Sequence, residues 1–76
     1  MDQKEFIEKF AEVVEIENAS ACTAETEFRK LDEWSSLAAL SVIAMIDEEY
    51  DIQVKGDEMR SCATVGELFN LVNSKA

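Results

Sequence analysis

The chain has 76 residues, of which 47% are hydrophobic and 32% charged, and its formal net charge at pH 7 is −10. This composition fits one small folded domain rather than a disordered chain, and the excess of negative charge argues against binding to nucleic acid. Because the chain has no histidine and only two cysteines, it lacks the ligands of a tetrahedral zinc site and the base of a Ser-His-Asp triad. We therefore expect a single domain over residues 1–76 that is not an enzyme.

The absence of proline and the presence of only two glycines favour helices joined by loops. The longest uncharged stretch, residues 34–46, is too short to span a bilayer and lies far from the N-terminus, where a signal peptide would stand. We predict a cytoplasmic monomer without membrane insertion. Its two cysteines, Cys22 and Cys62, form no CxxC pair and are expected to be free thiols, with a structural disulfide as the alternative.

The first predicted helix runs from about residue 4 to residue 17. Asp2 is placed to cap it, and Glu5 follows three residues later, as in a capping box. Apolar residues at the spacing of one helical face support this helix. They are Phe6, Ile7, Phe10, Val13 and Val14.

Residues 18–35 lose this periodicity and begin with small and polar side chains, which indicates a long loop. Loops of this length in small domains are usually anchored or functional. Phe28, Leu31 and Trp34 are spaced by three residues and are the predicted anchors.

The second predicted helix runs from Ser36 to about Tyr50 and begins at two adjacent serines. Serine is a preferred N-cap because its hydroxyl accepts a hydrogen bond from one of the free N–H groups of the first turn. Judged from the residues alone, Ser36 is the predicted cap and Ser35 is the alternative.

Both faces of this second helix are rich in apolar residues. At 100° per residue, the core stripe consists of Ala39, Val42, Ile43, Ile46 and Tyr50. The opposite face consists of Leu37, Ala38, Ser41, Ala44 and Met45. A domain of this size cannot cover a helix on every side, so we expect part of this surface to meet a partner or a bound group. The alternative is that the alanines only favour the helix and that Leu37 packs under the preceding loop.

Acidic residues cluster where the second helix ends, at Asp47, Glu48, Glu49 and Asp51. The helix dipole disfavours negative charge there, so the cluster indicates a docking surface for basic side chains, with a merely solvated helix end as the alternative. A calcium-binding loop that begins at Asp51 is excluded because Lys55 occupies a ligand position.

The rest of the chain is predicted to contain an extended connector at residues 52–54, a short helix at 58–61 and a final helix. Thr64 and Glu67 form a second capping box at the start of that final helix. The predicted fold is all-α, a small antiparallel bundle of three main helices plus one short helix. The apolar face of the last helix consists of Val65, Leu68, Phe69, Leu71 and Val72.

Residues 28–51, FRKLDEWSSLAALSVIAMIDEEYD, resemble the central segment of acyl carrier proteins. In that family a loop ends in Asp-Ser-Leu, and the helix that follows closes with acidic residues, an aromatic residue and an aspartate. Ser36 and Leu37 match the Ser-Leu pair. Residues 48–51, EEYD, match the acidic residues, the aromatic residue and the aspartate at the end of that helix. Residues 63–68, ATVGEL, are similar to the start of the last helix of the family.

This resemblance implies a non-catalytic carrier whose cofactor is 4′-phosphopantetheine, transferred from coenzyme A to Ser36. The terminal thiol of the cofactor would hold acyl groups as thioesters for fatty acid, lipid, polyketide or peptide biosynthesis. The implied partners are a phosphopantetheinyl transferase and acyl-transferring or synthase enzymes with basic docking patches. The implied docking residues are Leu37, Leu40, Ser41, Ala44, Met45, Asp47 and Glu48.

Two positions depart from the family pattern. Ser35 stands where an aspartate usually precedes the modified serine, and Ser41 replaces an acid that many fatty-acid carriers have. The resemblance therefore implies a specialised pathway. The alternative function is an unmodified helical interaction domain that binds a partner protein through its second helix.

Overall fold

A computed structural model describes residues 2–16 and 22–75, and these residues form an all-α bundle. The main helices are α1 (Gln3–Val14), α2 (Ser36–Tyr50) and α4 (Val65–Lys75), and the short helix is α3 (Gly56–Arg60). One turn of 3-10 helix, Phe28–Lys30, lies in the loop before α2. α1 packs mainly against α2 and also contacts α4, while α3 contacts α2. The predicted fold class is confirmed, and α2 has the predicted bounds.

Helix α1 begins as predicted and ends earlier. The Asp2 side chain caps it by accepting a hydrogen bond from Lys4 N at 3.1 Å. The carboxylate of Glu5 pairs with Lys9 Nζ at 2.9 Å, one turn further along the helix. The helix stops at Val14 because Glu15 adopts the left-handed conformation, with φ at 61°, that commonly terminates helices. The predicted end at residue 17 lies outside the described residues.

An aromatic cluster joins the long loop to α1. Phe28 is fully buried, and its ring centroid lies 4.8 Å from that of Trp34 and 5.6 Å from that of Phe10. Trp34 in turn stacks on Phe10 with 6.1 Å between centroids. Leu31 is partly buried and packs against the same core. The three predicted anchors therefore hold the segment that leads into α2.

The loop is also tied to the start of α4 by main-chain hydrogen bonds. Val65 N donates to Thr26 O at 3.0 Å, and Gly66 N donates to Ala24 O at 2.8 Å. The first N–H groups of a helix have no partner within it, so the loop carbonyls satisfy two of them. A Cβ at Gly66 would lie 2.9 Å from Ala24 O, which explains why the close approach needs glycine.

The predicted capping box at α4 is present with one change. The hydroxyl of Thr64 accepts a hydrogen bond from Glu67 N at 3.2 Å, as expected. The carboxylate of Glu67 accepts from Ala63 N at 2.9 Å, one residue before the position a standard box uses.

The connector between α2 and α3 is extended, as predicted. Ile52 and Val54 are buried and Gln53 is exposed, the alternation expected of a chain that runs along a core. α3 begins at Gly56, two residues before its predicted start, and Glu58 stabilises that start by accepting from Lys55 N at 3.0 Å. No described helix is long and apolar enough to cross a membrane.

Candidate functional site

The two serines at the start of α2 have different structural roles. Ser35 precedes the helix in an extended conformation, and its Oγ accepts a hydrogen bond from Ala38 N at 3.1 Å. Ser36 is the first residue of the helix, and its exposed hydroxyl makes no hydrogen bond within the described residues. The prediction that Ser36 is the cap is therefore wrong. Both serines suit an N-cap by residue type, and only the backbone conformation before the helix decides between them.

This assignment predicts unequal effects of two neighbouring alanine substitutions. Ser35→Ala removes the cap and should lower the free energy of unfolding by about 0.5–2 kcal/mol, whereas Ser36→Ala should change it by less than about 0.5 kcal/mol. Ser35→Asp should retain most of the stability because aspartate is an equally good cap. Urea unfolding followed by circular dichroism measures all three variants. A larger loss for Ser36→Ala than for Ser35→Ala would contradict the assignment.

Ser36 opens onto a cleft of about 260 Å³ between the preceding loop, α2 and α3. Sequence reasoning did not identify this cleft, because its lining comes from separate elements that only the fold brings together. The lining includes two cationic residues, Arg29 and Arg60, beside an apolar wall. The wall consists of Trp34, Ala39, Ile43 and Met59.

A second feature of α2 is its exposed apolar face. Leu37 is 74% exposed and Leu40 is 63% exposed. Among the described residues, these are the two large hydrophobic side chains that lie open to solvent. Ala44 is exposed between them and the acidic end of the helix, and Ser41 is half-buried. The alternative in which Leu37 packs under the loop is wrong.

One predicted member of this outer face, Met45, belongs to the core instead. Met45 is 6% exposed and Ala38 is 8% exposed, so the fully packed stripe of α2 runs through these residues together with Val42 and Ile46. The predicted core residues Ala39, Ile43 and Tyr50 are only partly buried. The buried stripe is rotated toward α1, which packs most extensively on α2 and whose Val13 and Val14 lie beside Ala38.

The acidic end of α2 is divided between an internal ion pair and exposed carboxylates. Glu49 contacts Lys9 Nζ of α1 at 3.2 Å, in the same cluster as Glu5. The hydrogen bond to Glu5, supported by that to Glu49 and opposed by burial, raises the pKa of Lys9. Asp47 and Glu48 remain exposed, on the predicted docking surface.

The two cysteines are free and buried, as predicted, with 8% of Cys22 and 5% of Cys62 exposed. Burial raises the pKa of both thiols. Because the thiolate is the nucleophilic form, these thiols are less reactive than an ordinary exposed cysteine. Neither cysteine lines the cleft that Ser36 opens onto.

Comparison with known proteins gives one informative match. The family model described as "Phosphopantetheine attachment site" matches residues 4–72. No curated protein and no solved structure matches this chain. The match covers the start of α2, the whole lining of the cleft and the exposed apolar face.

Proposed function

Because this chain belongs to the family of phosphopantetheine attachment domains, we propose that Ser36 is the residue to which its prosthetic group is attached. Proteins of this family are non-catalytic carriers with a covalent 4′-phosphopantetheine group. The sequence-based predictions of the family, the cofactor and the carrier role are confirmed. The chain is thus a carrier rather than an enzyme.

One observation carries the choice of Ser36. Its hydroxyl is exposed and makes no hydrogen bond with the residues that the structure describes, while the neighbouring Ser35 is occupied as the cap of α2. Attachment at Ser36 leaves the helix intact, whereas attachment at Ser35 would remove the cap. Serine and aspartate are comparable N-caps, so Ser35 can cap α2 in place of the aspartate that the family usually has there.

The residues around Ser36 fit a phosphodiester and the chain attached to it. The N–H groups and the positive dipole end of α2 favour a phosphate at this position. The cleft beside Ser36 has an apolar wall for the part of the arm next to the phosphate. When attached, the group supplies a thiol that holds cargo as a thioester.

In the loading reaction, the role of this chain is that of a nucleophile. Ser36 Oγ forms the new phosphodiester bond with the phosphopantetheine phosphorus of coenzyme A, and adenosine 3′,5′-bisphosphate leaves. The described residues that line the cleft at Ser36 include no histidine or carboxylate, so the base that receives the hydroxyl proton has to come from the transferase. The experiment that tests the proposal is incubation with coenzyme A and a broad-specificity transferase, followed by intact-mass measurement. Gain of one phosphopantetheine supports it, and no gain with several transferases contradicts it.

We further propose that the partners are a phosphopantetheinyl transferase and acyl-handling enzymes of fatty acid, lipid, polyketide or peptide biosynthesis. Exposed leucines beside exposed carboxylates suit a transient interface with a basic enzyme surface. The proposed docking residues are Leu37, Leu40, Ser41, Ala44, Asp47 and Glu48, and the buried Met45 is removed from the set. The domain limits of 1–76, the monomeric state and the cytoplasmic location stay predictions.

Truncation of Leu40 tests this docking surface. Leu40→Ala should raise the KM of the transferase for this carrier roughly tenfold, a loss of about 1.4 kcal/mol, because a leucine in the centre of an interface contributes to binding by burial. The free energy of unfolding should change little, since Leu40 is 63% exposed. Asn70→Ala, at an exposed position of α4, is the matched control and should leave KM unchanged. Equal KM values for Leu40→Ala and wild type would exclude Leu40 from the interface.

A further inference from the structure

We propose that Arg29 and Arg60 form an anion clamp across the Ser36 cleft, which holds the phosphodiester of the attached arm and folds the arm against the cleft wall. Both arginines line the cleft that Ser36 opens onto. The inference rests on the proposed attachment at Ser36 and goes beyond it, because it concerns how this chain positions the arm after loading.

The backbone positions of both arginines are fixed by buried neighbours. Arg29 lies in the 3-10 turn next to Phe28, which is fully buried in the aromatic cluster. Arg60 ends α3 and follows Met59, which is 2% exposed. The core therefore holds one cation of the cleft on the preceding loop and the other on α3, and the side chains themselves stay exposed.

Both guanidinium groups are available to an anion. In the described part of the chain Arg29 makes no ion pair, whereas Lys9, Lys30 and Lys75 each pair with glutamates. Arg60 pairs with Asp57 on the same helix, with side chains 71% and 89% exposed. Exposed pairs of this kind contribute little, so a phosphate can compete with the Asp57 carboxylate for Arg60.

The Arg60 side chain folds back over the start of α3. Its Nη1 atom lies 3.6 Å from the position that a Cβ of Gly56 would occupy, and Gly56 also lines the cleft. The guanidinium group therefore lies beside Gly56, at the α3 edge of the cleft. Planar guanidinium groups match phosphate oxygens with paired hydrogen bonds, which a lysine at the same position would not provide.

The chemistry of the cleft matches the beginning of the arm. A phosphodiester adds negative charge to a chain whose net charge is already −10, so nearby cations are needed to offset the repulsion. Next to the phosphate, the arm carries a carbon with two methyl groups, for which Trp34, Ile43 and Met59 supply an apolar surface. The volume of 260 Å³ is slightly below the roughly 300–1,000 Å³ of pockets for drug-sized ligands, so the cleft takes the first part of the arm rather than a long cargo.

The test uses the loaded protein and nuclear magnetic resonance. Wild type and an Arg29→Gln/Arg60→Gln double variant are loaded with ¹³C-labelled phosphopantetheine, and intact mass establishes loading first. In wild type we expect nuclear Overhauser effects from the arm methyl groups to the Trp34 indole and the Ile43 methyl protons. We also expect a broad ³¹P signal, because the clamp restricts the motion of the phosphodiester. In the double variant we expect these effects to be lost and the ³¹P signal to sharpen.

Two matched variants separate the clamp from general charge effects. Lys30→Gln removes a neighbouring cation that does not line the cleft, and Asp57→Asn breaks the ion pair of Arg60 while keeping the arginine. Both should retain the arm contacts, and amide spectra check that every variant is folded. Loaded wild type without arm contacts, or a double variant that keeps them, would overturn the clamp while leaving attachment at Ser36 intact. Failure of wild type to load would overturn the attachment proposal and the clamp with it.

Discussion

Wild-type protein treated with coenzyme A and a phosphopantetheinyl transferase is expected to gain one phosphopantetheine, and the Ser36→Ala variant is expected to gain none. The physical reason is that Ser36 provides the exposed hydroxyl at the N-terminus of α2, where the helix favours a phosphate. The substitution removes the nucleophile but not the cap, so the variant should remain folded. Loss of loading in a folded variant can then be assigned to the missing Ser36 hydroxyl rather than to unfolding.

Two other serines supply the controls for this result. Ser74→Ala, at an exposed position of α4 outside the proposed docking surface, should load like wild type. Ser35→Asp keeps an N-cap and introduces the residue that the family pattern has before the modified serine, so it should load at least as fast as wild type. Peptide mapping of the loaded protein locates the group. A modified peptide from Ser36→Ala that carries the group on Ser35 would show that the attachment site is the other serine.

Gly66→Ala is expected to lower the free energy of unfolding by about 1–3 kcal/mol. The added Cβ would lie 2.9 Å from Ala24 O and 3.0 Å from Ala24 Cβ, and these contacts involve the loop backbone. To relieve them the loop must move away from α4, which weakens the 2.8 Å hydrogen bond from Gly66 N to Ala24 O. The higher helix propensity of alanine offsets at most about 1 kcal/mol of this loss.

Gly56→Ala is the matched control, since the chain contains one other glycine and it also begins a helix. A Cβ at Gly56 meets only the end of the Arg60 side chain at 3.6 Å, an ordinary contact. This substitution should leave stability unchanged or raise it by about 0.4–1 kcal/mol, because alanine restricts the unfolded chain. Urea unfolding of both variants gives the comparison. Equal stabilities of the two variants would show that the loop does not depend on its close approach to α4.

Local sequence signals suffice for the bounds of α2 but not for the end of α1. The apolar spacing of α2 predicted its bounds, Ser36–Tyr50, because helix periodicity and end signals act within a few residues. For α1 the same spacing predicted an end beyond Val14, and the left-handed conformation of Glu15 ends the helix first. A residue that ends a helix in this conformation is usually glycine, so a glutamate there leaves little signal in the sequence.

The sequence by itself determined the all-α fold and the anchoring role of Phe28 and Trp34, because both follow from residue spacing along the chain. It also indicated the family, through the resemblance of residues 28–51 to a known motif. The tertiary structure decided which serine caps α2, since that depends on the backbone conformation of Ser35. It also moved Met45 from the outer face to the core, because the packing of α1 selects the buried stripe. Finally, it placed Arg29 and Arg60 at one cleft with Ser36. Periodicity describes one element at a time, whereas a cleft is formed by side chains from several elements that meet only when the bundle is packed.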